Sequence, residues 1–246
     1  QILNLHPEML IANEYRFLQR IIRENLNYEK EIKNLKKVAF KHYRNGIEKD
    51  KKFKKSLSHF QKKWTPFSHL SKNKNFKKKG IKIIGDKKAG GNTNIYLENP
   101  QKSQDFFDSQ NPFFIQIVRH PIKAAHSSMK AFNWDYKFAL KDQIKRNIIA
   151  YELCKSYDEK FIFIRYEDLV SKPDQTLKSI FSKLNLSVET YWLKKIGEII
   201  VKKEKNFSLK PQELELAAEL ISKYKAEELF CSYEVAKTQK TRNENI

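Results

Sequence analysis

Two apolar runs separated by helical sequence constrain this chain most. Phe113-Phe114-Ile115-Gln116-Ile117-Val118 is apolar nearly throughout, as expected of a parallel strand covered on both faces, and Phe161-Ile162-Phe163-Ile164-Arg165-Tyr166 reads as a second buried strand. Between them Pro121 sits where a first helical turn accepts proline. The spacing predicts one helix from Pro121 to about Phe132 and another from about Phe138 to Tyr157. Strand, helix and strand in that order imply a parallel sheet with right-handed crossovers, hence an α/β fold.

The flanking sequence fits the same class. Ile2, Leu3 and Leu5 leading into His6-Pro7-Glu8 read as the last turn of a helix stopped by proline. From Asn13, the positions Tyr15, Phe17, Leu18, Ile21, Ile22, Leu26, Ile32, Leu35 and Val38 recur at helical spacing and predict one or two helices. Ile81-Lys82-Ile83-Ile84 reads as a short strand, closed by a loop over Gly85-Asp86-Lys87-Lys88-Ala89-Gly90-Gly91, with Asn92 or Thr93 capping the next helix. Glu167 to Val170 is expected to be loop, with Asp168 as a cap and Leu169 and Val170 packed. Helices are expected from Pro173 through Leu184 and from Leu214 to Leu229, and the tail after Glu234 reads as polar and frayed.

At 246 residues one sizeable domain is expected over 1–234, with 41–79 as a variable insertion and 235–246 as a tail. The excess of 49 Lys+Arg over 29 Asp+Glu gives a formal charge of +20 and implies attraction to anions. Lys51, Lys52, Lys54, Lys55, Lys62, Lys63, Lys72, Lys74, Lys77, Lys78 and Lys79 concentrate that charge. Such a run reads as a solvated face or mobile insertion, with nucleic-acid binding left open. Cys154 and Cys231 are too few and too far apart for a disulfide framework or metal site, so a reducing, cytoplasmic setting fits. The six histidines lack HExxH or HxxxH spacing, so no metal cofactor is expected, and no apolar run reaches the ~20 residues of a membrane span.

Ligands of open parallel sheets bind beyond the carboxyl ends of the strands, where helix N-termini offer free N–H groups. Arg119-His120-Pro121 lies at such a point. Arg119 can grip a phosphate bidentately and Ser127, two turns along the helix, can add a hydroxyl, with Lys123 and Lys130 contributing field. Read alone, the alternatives are Arg119 as a strand-end cap over a carboxylate and Ser127 as an ordinary helix serine.

Ile117-Val118-Arg119-His120-Pro121 with Ser127 resembles the 3′-phosphate-binding motif of sulfotransferases that use 3′-phosphoadenosine 5′-phosphosulfate (PAPS). Three further pieces agree in order: Leu5-His6-Pro7-Glu8 with Asn13-Glu14, then Gly85-Asp86-Lys87, then Ile164-Arg165-Tyr166-Glu167-Asp168-Leu169-Val170-Ser171-Lys172-Pro173. The resemblance runs from about Gln1 to Tyr233 and is weakest between Lys41 and Lys79. It implies a P-loop nucleoside-triphosphate-hydrolase-like three-layer α/β fold with a central parallel sheet, and PAPS as cosubstrate. Arg119, Ser127 and Tyr166 would hold the 3′-phosphate. Glu14-Tyr15-Arg16 resembles the Glu-x-Arg of the tyrosylprotein sulfotransferase-like branch, which would make Glu14 the general base and Arg16 an acceptor-orienting residue. Lys87, with Lys88 as fallback, would stabilise the leaving phosphate. His120 and His126 are expected to be incidental.

The family's Gly/Ser/Thr-rich 5′-phosphosulfate loop should precede the helix ending near Leu5, and this sequence does not contain it. Gly90-Gly91 follows the wrong element. A chain opening on Gln1 is therefore expected to be a fragment. The acceptor is left as a hydroxyl or amine of a carbohydrate, peptide or small molecule. The alternatives are a non-catalytic remnant that binds nucleotide phosphates or acidic glycans, or a basic nucleic-acid-binding protein.

Overall fold

The computed structural model describes residues 2–52, 78, 80–88, 92–200, 208–230 and 233. The chain forms two compact units, residues 1–110 and 111–246. Most of the lysine-rich segment, Gly90-Gly91, Cys231 and the tail after Glu234 lie outside the described residues.

The first unit is built on two parallel strands, β1 (Met9–Asn13) and β2 (Ile83–Lys87), paired Met9 to Ile83 through Asn13 to Lys87. Around them lie α1 (Phe17–Ile22), α2 (Tyr28–Lys52), α3 (Asn92–Glu98) and α4 (Pro100–Gln110). Asn27 starts α2 by accepting the Lys30 N–H at 3.0 Å, and Glu29 and Glu31 in the first turn suit the positive end of the helix dipole. Leu10 and Ala12 of β1 pack on Leu35 and Ala39 of α2, each buried apolar side chain contributing about 1.5–3 kcal/mol. Gly85 lies directly beneath its register partner Ile11: a Cβ there would meet Ile11 Cδ1 at 3.0 Å.

Three readings of this region are corrected. Met9–Asn13 is a strand, absent from the helical reading of the sequence. Gly85-Asp86-Lys87 belongs to β2 rather than to a loop, because its backbone pairs with Ile11, Ala12 and Asn13. Residues Ile2–Leu5 form a 3-10 turn, whose Asn4 acts as a one-residue strand neighbour: its amide accepts the Ile11 N–H at 3.0 Å and donates to the Ile11 carbonyl at 2.9 Å.

Lys78 also departs from the solvated face expected of its charge run. Its ammonium donates to the carbonyls of Asn4 at 2.5 Å, His6 at 2.9 Å and Met9, and lies 4.8 Å from the Tyr43 ring centroid. Burial pushes its pKa down to about 7, while three carbonyls and an aromatic face favour the charged form. One lysine thus satisfies the backbone where the chain enters β1.

The second unit pairs β3 (Phe114–Val118) with β4 (Phe161–Arg165), parallel, Val118 opposite Arg165. The crossover runs through α5 (Pro121–Phe132) and α6 (Tyr136–Ser156), close to the predicted bounds. Asn133, left-handed at φ 54°, closes α5, and Asp135 opens α6 by accepting the Phe138 N–H at 3.0 Å. Then follow α7 (Tyr166–Ser171), α8 (Pro173–Lys183), α9 (Thr190–Ile199), α10 (Pro211–Lys223) and α11 (Glu227–Phe230).

The core behind β3 joins Val118, Ile122, Leu140, Ile144, Leu220, Ile221, Phe230 and Tyr233. The expected coverage of β3 on both faces does not hold at Ile117, which is 50% exposed. The expected loop over Glu167 to Val170 is helical. The single late helix is broken at Tyr224-Lys225-Ala226, where Lys225 takes φ 52°.

Candidate functional site

In the first unit the two parallel strands release their candidate residues side by side. The β ladder continues one step, with Glu14 donating its N–H to the Lys87 carbonyl at 2.8 Å. The chain then turns sharply, with Glu14 at φ 59° and Arg16 at φ 64°, both left-handed. For residues with a Cβ such conformations cost on the order of 1 kcal/mol each and persist only where surroundings enforce them. Asp86 does so: its carboxylate accepts the N–H of Tyr15 at 3.0 Å and of Phe17 at 2.9 Å. Burial pushes the Asp86 pKa up, against the pull of those two N–H groups.

The Glu14 carboxylate points at the lysines after β2. Lys87 Nζ donates to Oε1 at 2.9 Å, and Lys88 Nζ lies 3.3 Å from Oε2. The structure thus brings together Glu14 and Lys87, which are 73 positions apart in sequence, and adds Lys88. Arg16 is exposed at the N-cap of α1.

The residue between Glu14 and Arg16 anchors the turn from behind. Tyr15 donates its hydroxyl to Glu31 Oε2 at 2.6 Å, and the same carboxylate receives Arg20 Nε at 2.5 Å, Arg20 Nη2 at 3.3 Å and Asn34 Nδ2 at 3.0 Å. These bonds, Arg20 first, hold the Glu31 pKa at about 2 despite burial, whereas burial and the Glu31 bond push the Tyr15 phenol up to about 12.

A carboxylate depressed in the folded state stabilises it above the ordinary value of 4.5, and that stabilisation is lost as pH falls from there toward 2. The Arg20 side chain is 34% exposed, so solvent screening limits the effect to about 1–2 kcal/mol. Urea unfolding at pH 7 and pH 3 is expected to show Glu31→Gln less stable at pH 7, with the gap to wild type narrowing at pH 3. A gap independent of pH would sink this account.

In the second unit, Arg119 leaves the carboxyl end of β3 and Tyr166 the end of β4, one step beyond the Val118–Arg165 pair. The Arg119 guanidinium lies 4.8 Å from the Tyr166 ring centroid, and its Nε is buried with no hydrogen-bond partner among the described residues. A buried donor left unmatched costs about 1–3 kcal/mol, and an anion would supply the missing acceptor. Ser127 is exposed on α5, whereas its neighbour Ser128 is buried and accepts from Gln143 Nε2 at 3.0 Å. Ser127 is therefore the serine of this pair open to a ligand.

His126 Nε2 lies 3.0 Å from Glu213 Oε1, tying α5 to α10. The capping carboxylate of the Tyr166-Glu167-Asp168-Leu169 segment is Glu167 rather than Asp168: Glu167 Oε1 accepts the backbone N–H of His120 at 3.0 Å. Leu169 is buried as expected. The sequence reading overlooked Asp86, which stands inside the Gly85-Asp86-Lys87 motif, and Glu167, which stands beside Tyr166.

Among the described residues no group of three or more His, Cys, Asp or Glu is placed to hold a metal ion, and no helix is long and apolar enough to cross a membrane. No curated protein matches the chain. A solved sulfotransferase domain from the curacin biosynthetic pathway is similar at 16% identity and a TM-score of 0.38, over 83% of this chain and 77% of that one. A family model described as "Sulfotransferase family" matches residues 1–190. With strand-end Arg119 and the Glu14–Lys87 pair falling inside that match, the chain belongs to the sulfotransferase family.

Proposed function

We propose that the protein transfers a sulfuryl group from PAPS to a hydroxyl or amine of a carbohydrate, peptide or small molecule. The observation that carries this reading is the pairing of Glu14 with Lys87 at the ends of adjacent parallel strands. Carboxylate and ammonium are the two groups that transfer to a weak nucleophile requires: one to take the acceptor's proton, one to neutralise charge on the departing phosphate.

The donor set of the second unit suits a phosphate. Arg119 offers a fork preoriented by Tyr166 and an unmatched Nε, and Ser127 offers a free-standing hydroxyl. These residues would hold the 3′-phosphate. Bound PAPS supplies a sulfuryl group already activated by its phosphate leaving group. Glu14 takes the proton from the acceptor, Arg16 orients that acceptor, and Lys87 exchanges its contact with Glu14 for the charge on the leaving phosphate while Lys88 keeps the carboxylate in place. The branch assignment to tyrosylprotein-type enzymes rests on Glu14-Tyr15-Arg16. Two widely spaced cysteines fit a cytoplasmic setting.

The complete protein, incubated with PAPS and a panel of hydroxyl and amine acceptors, is expected to release adenosine 3′,5′-bisphosphate in step with sulfated acceptor. Saturable bisphosphate binding with no product across the panel would overturn transfer and select a non-catalytic binding protein.

A further inference from the structure

A second arginine–tyrosine stack lies at the ends of β3 and β4. Val118 and Arg165 end the two strands as register partners and share one face of the pair. On that face the Arg165 guanidinium lies 4.7 Å from the ring centroid of Tyr233, which comes from the segment after α11. Tyr233 is 4% exposed, and its ring also meets His120 edge-on at 5.3 Å and Phe230 at 6.1 Å.

The Tyr233 hydroxyl donates to Glu167 Oε2 at 3.0 Å, while Glu167 Oε1 accepts the His120 N–H at 3.0 Å. His120 is the N-cap of α5 and follows Arg119 directly, so the direction in which Arg119 leaves β3 is set at the residue this carboxylate holds. Both Glu167 oxygens are thereby engaged by His120 and Tyr233. Without that engagement, the carboxylate would be free to turn toward Arg165, the cation its charge already reaches.

We infer that Tyr233, acting through Glu167, is a positioning residue for the phosphate-binding corner: it holds the Glu167 carboxylate on the N–H of His120, the residue that follows Arg119. Tyr233 lies beyond the 1–190 span of the family match, so this device belongs to the C-terminal segment of this chain. The inference rests on the phosphate reading of Arg119.

The test is binding of adenosine 3′,5′-bisphosphate by calorimetry to four folded proteins: wild type, Tyr233→Phe, Glu167→Gln and the double variant. Tyr233→Phe loses one hydrogen bond to a charged group and is expected to bind about 5–10-fold more weakly. Glu167→Gln keeps an acceptor for His120 and carries no charge to be drawn toward Arg165, so it stays within about 2-fold of wild type. The double variant is expected to recover to within about 3-fold of wild type, a non-additivity that simple loosening of the core would not produce.

Undiminished binding by Tyr233→Phe overturns the inference, and so does a loss that Glu167→Gln fails to rescue. Amide exchange at His120 is read in parallel and should accelerate in Tyr233→Phe; unchanged exchange counts against the link through Glu167. A wild type that binds no bisphosphate overturns the phosphate reading itself, an outcome separate from failure of the Tyr233 link.

Discussion

Arg119→Ala is expected to weaken binding of adenosine 3′,5′-bisphosphate by roughly 30–150-fold, the equivalent of losing a charge-assisted, bidentate contact of about 2–3 kcal/mol. Lys123→Ala, which removes only field from a neighbouring helical position, is expected to change it less than about 3-fold. The asymmetry follows from placement. Arg119 stands at the strand end with its guanidinium stacked on Tyr166 and its Nε unmatched, so part of the cost of ordering the side chain is already met before an anion arrives. Arg119→Lys should recover only part of the affinity, because an ammonium neither forks nor stacks as a guanidinium does. Equal losses for Arg119→Ala and Lys123→Ala, with affinity falling steeply in salt, would point instead to diffuse polyanion binding through the lysines.

The sequence made this corner legible because every signal there is local. An apolar run, an arginine, a proline at the first helical position and a serine eight residues on all fall within a single β-to-α step, and β3 and α5 form within a residue or so of the predicted bounds. What stayed hidden depends on distant pairing. β1 follows Pro7 and runs straight into a helical pattern, and its status as a strand is set by Ile83–Lys87, some seventy residues away. Lys78 sits in a run whose composition says solvent, yet its ammonium finds three backbone carbonyls of the β1 entry. The break before α11 has neither glycine nor proline to announce it; it lies in the left-handed backbone of Lys225. Glu167 and Tyr233 meet across 66 positions, and no spacing rule reaches that far. The candidate residues were legible as types, whereas the groups that hold them, Asp86 under Glu14 and Glu167 under His120, emerge only from packing.

Glu14→Gln is expected to lower turnover by roughly 100–10,000-fold while leaving bisphosphate affinity within about 2-fold of wild type. Glutamine preserves length and can still accept from Lys87, so the turn held by Asp86 should survive; what disappears is the ability to take up a proton. The left-handed backbone at Glu14 sharpens the comparison, since Glu14→Gly would relieve about 1 kcal/mol of strain and could raise stability while abolishing turnover. A residue kept in a strained conformation for packing alone would show the opposite pattern, with both substitutions changing stability and neither changing rate. Lys87→Ala separates the two halves of the pair: it should lower turnover by removing the cation from the leaving phosphate while Glu14 keeps its contact with Lys88. If Glu14→Gln retained turnover within about 5-fold of wild type, Glu14 would not be the base. The Glu14–Lys87 contact would then reduce to a half-exposed ion pair, worth about 0–1 kcal/mol of stability.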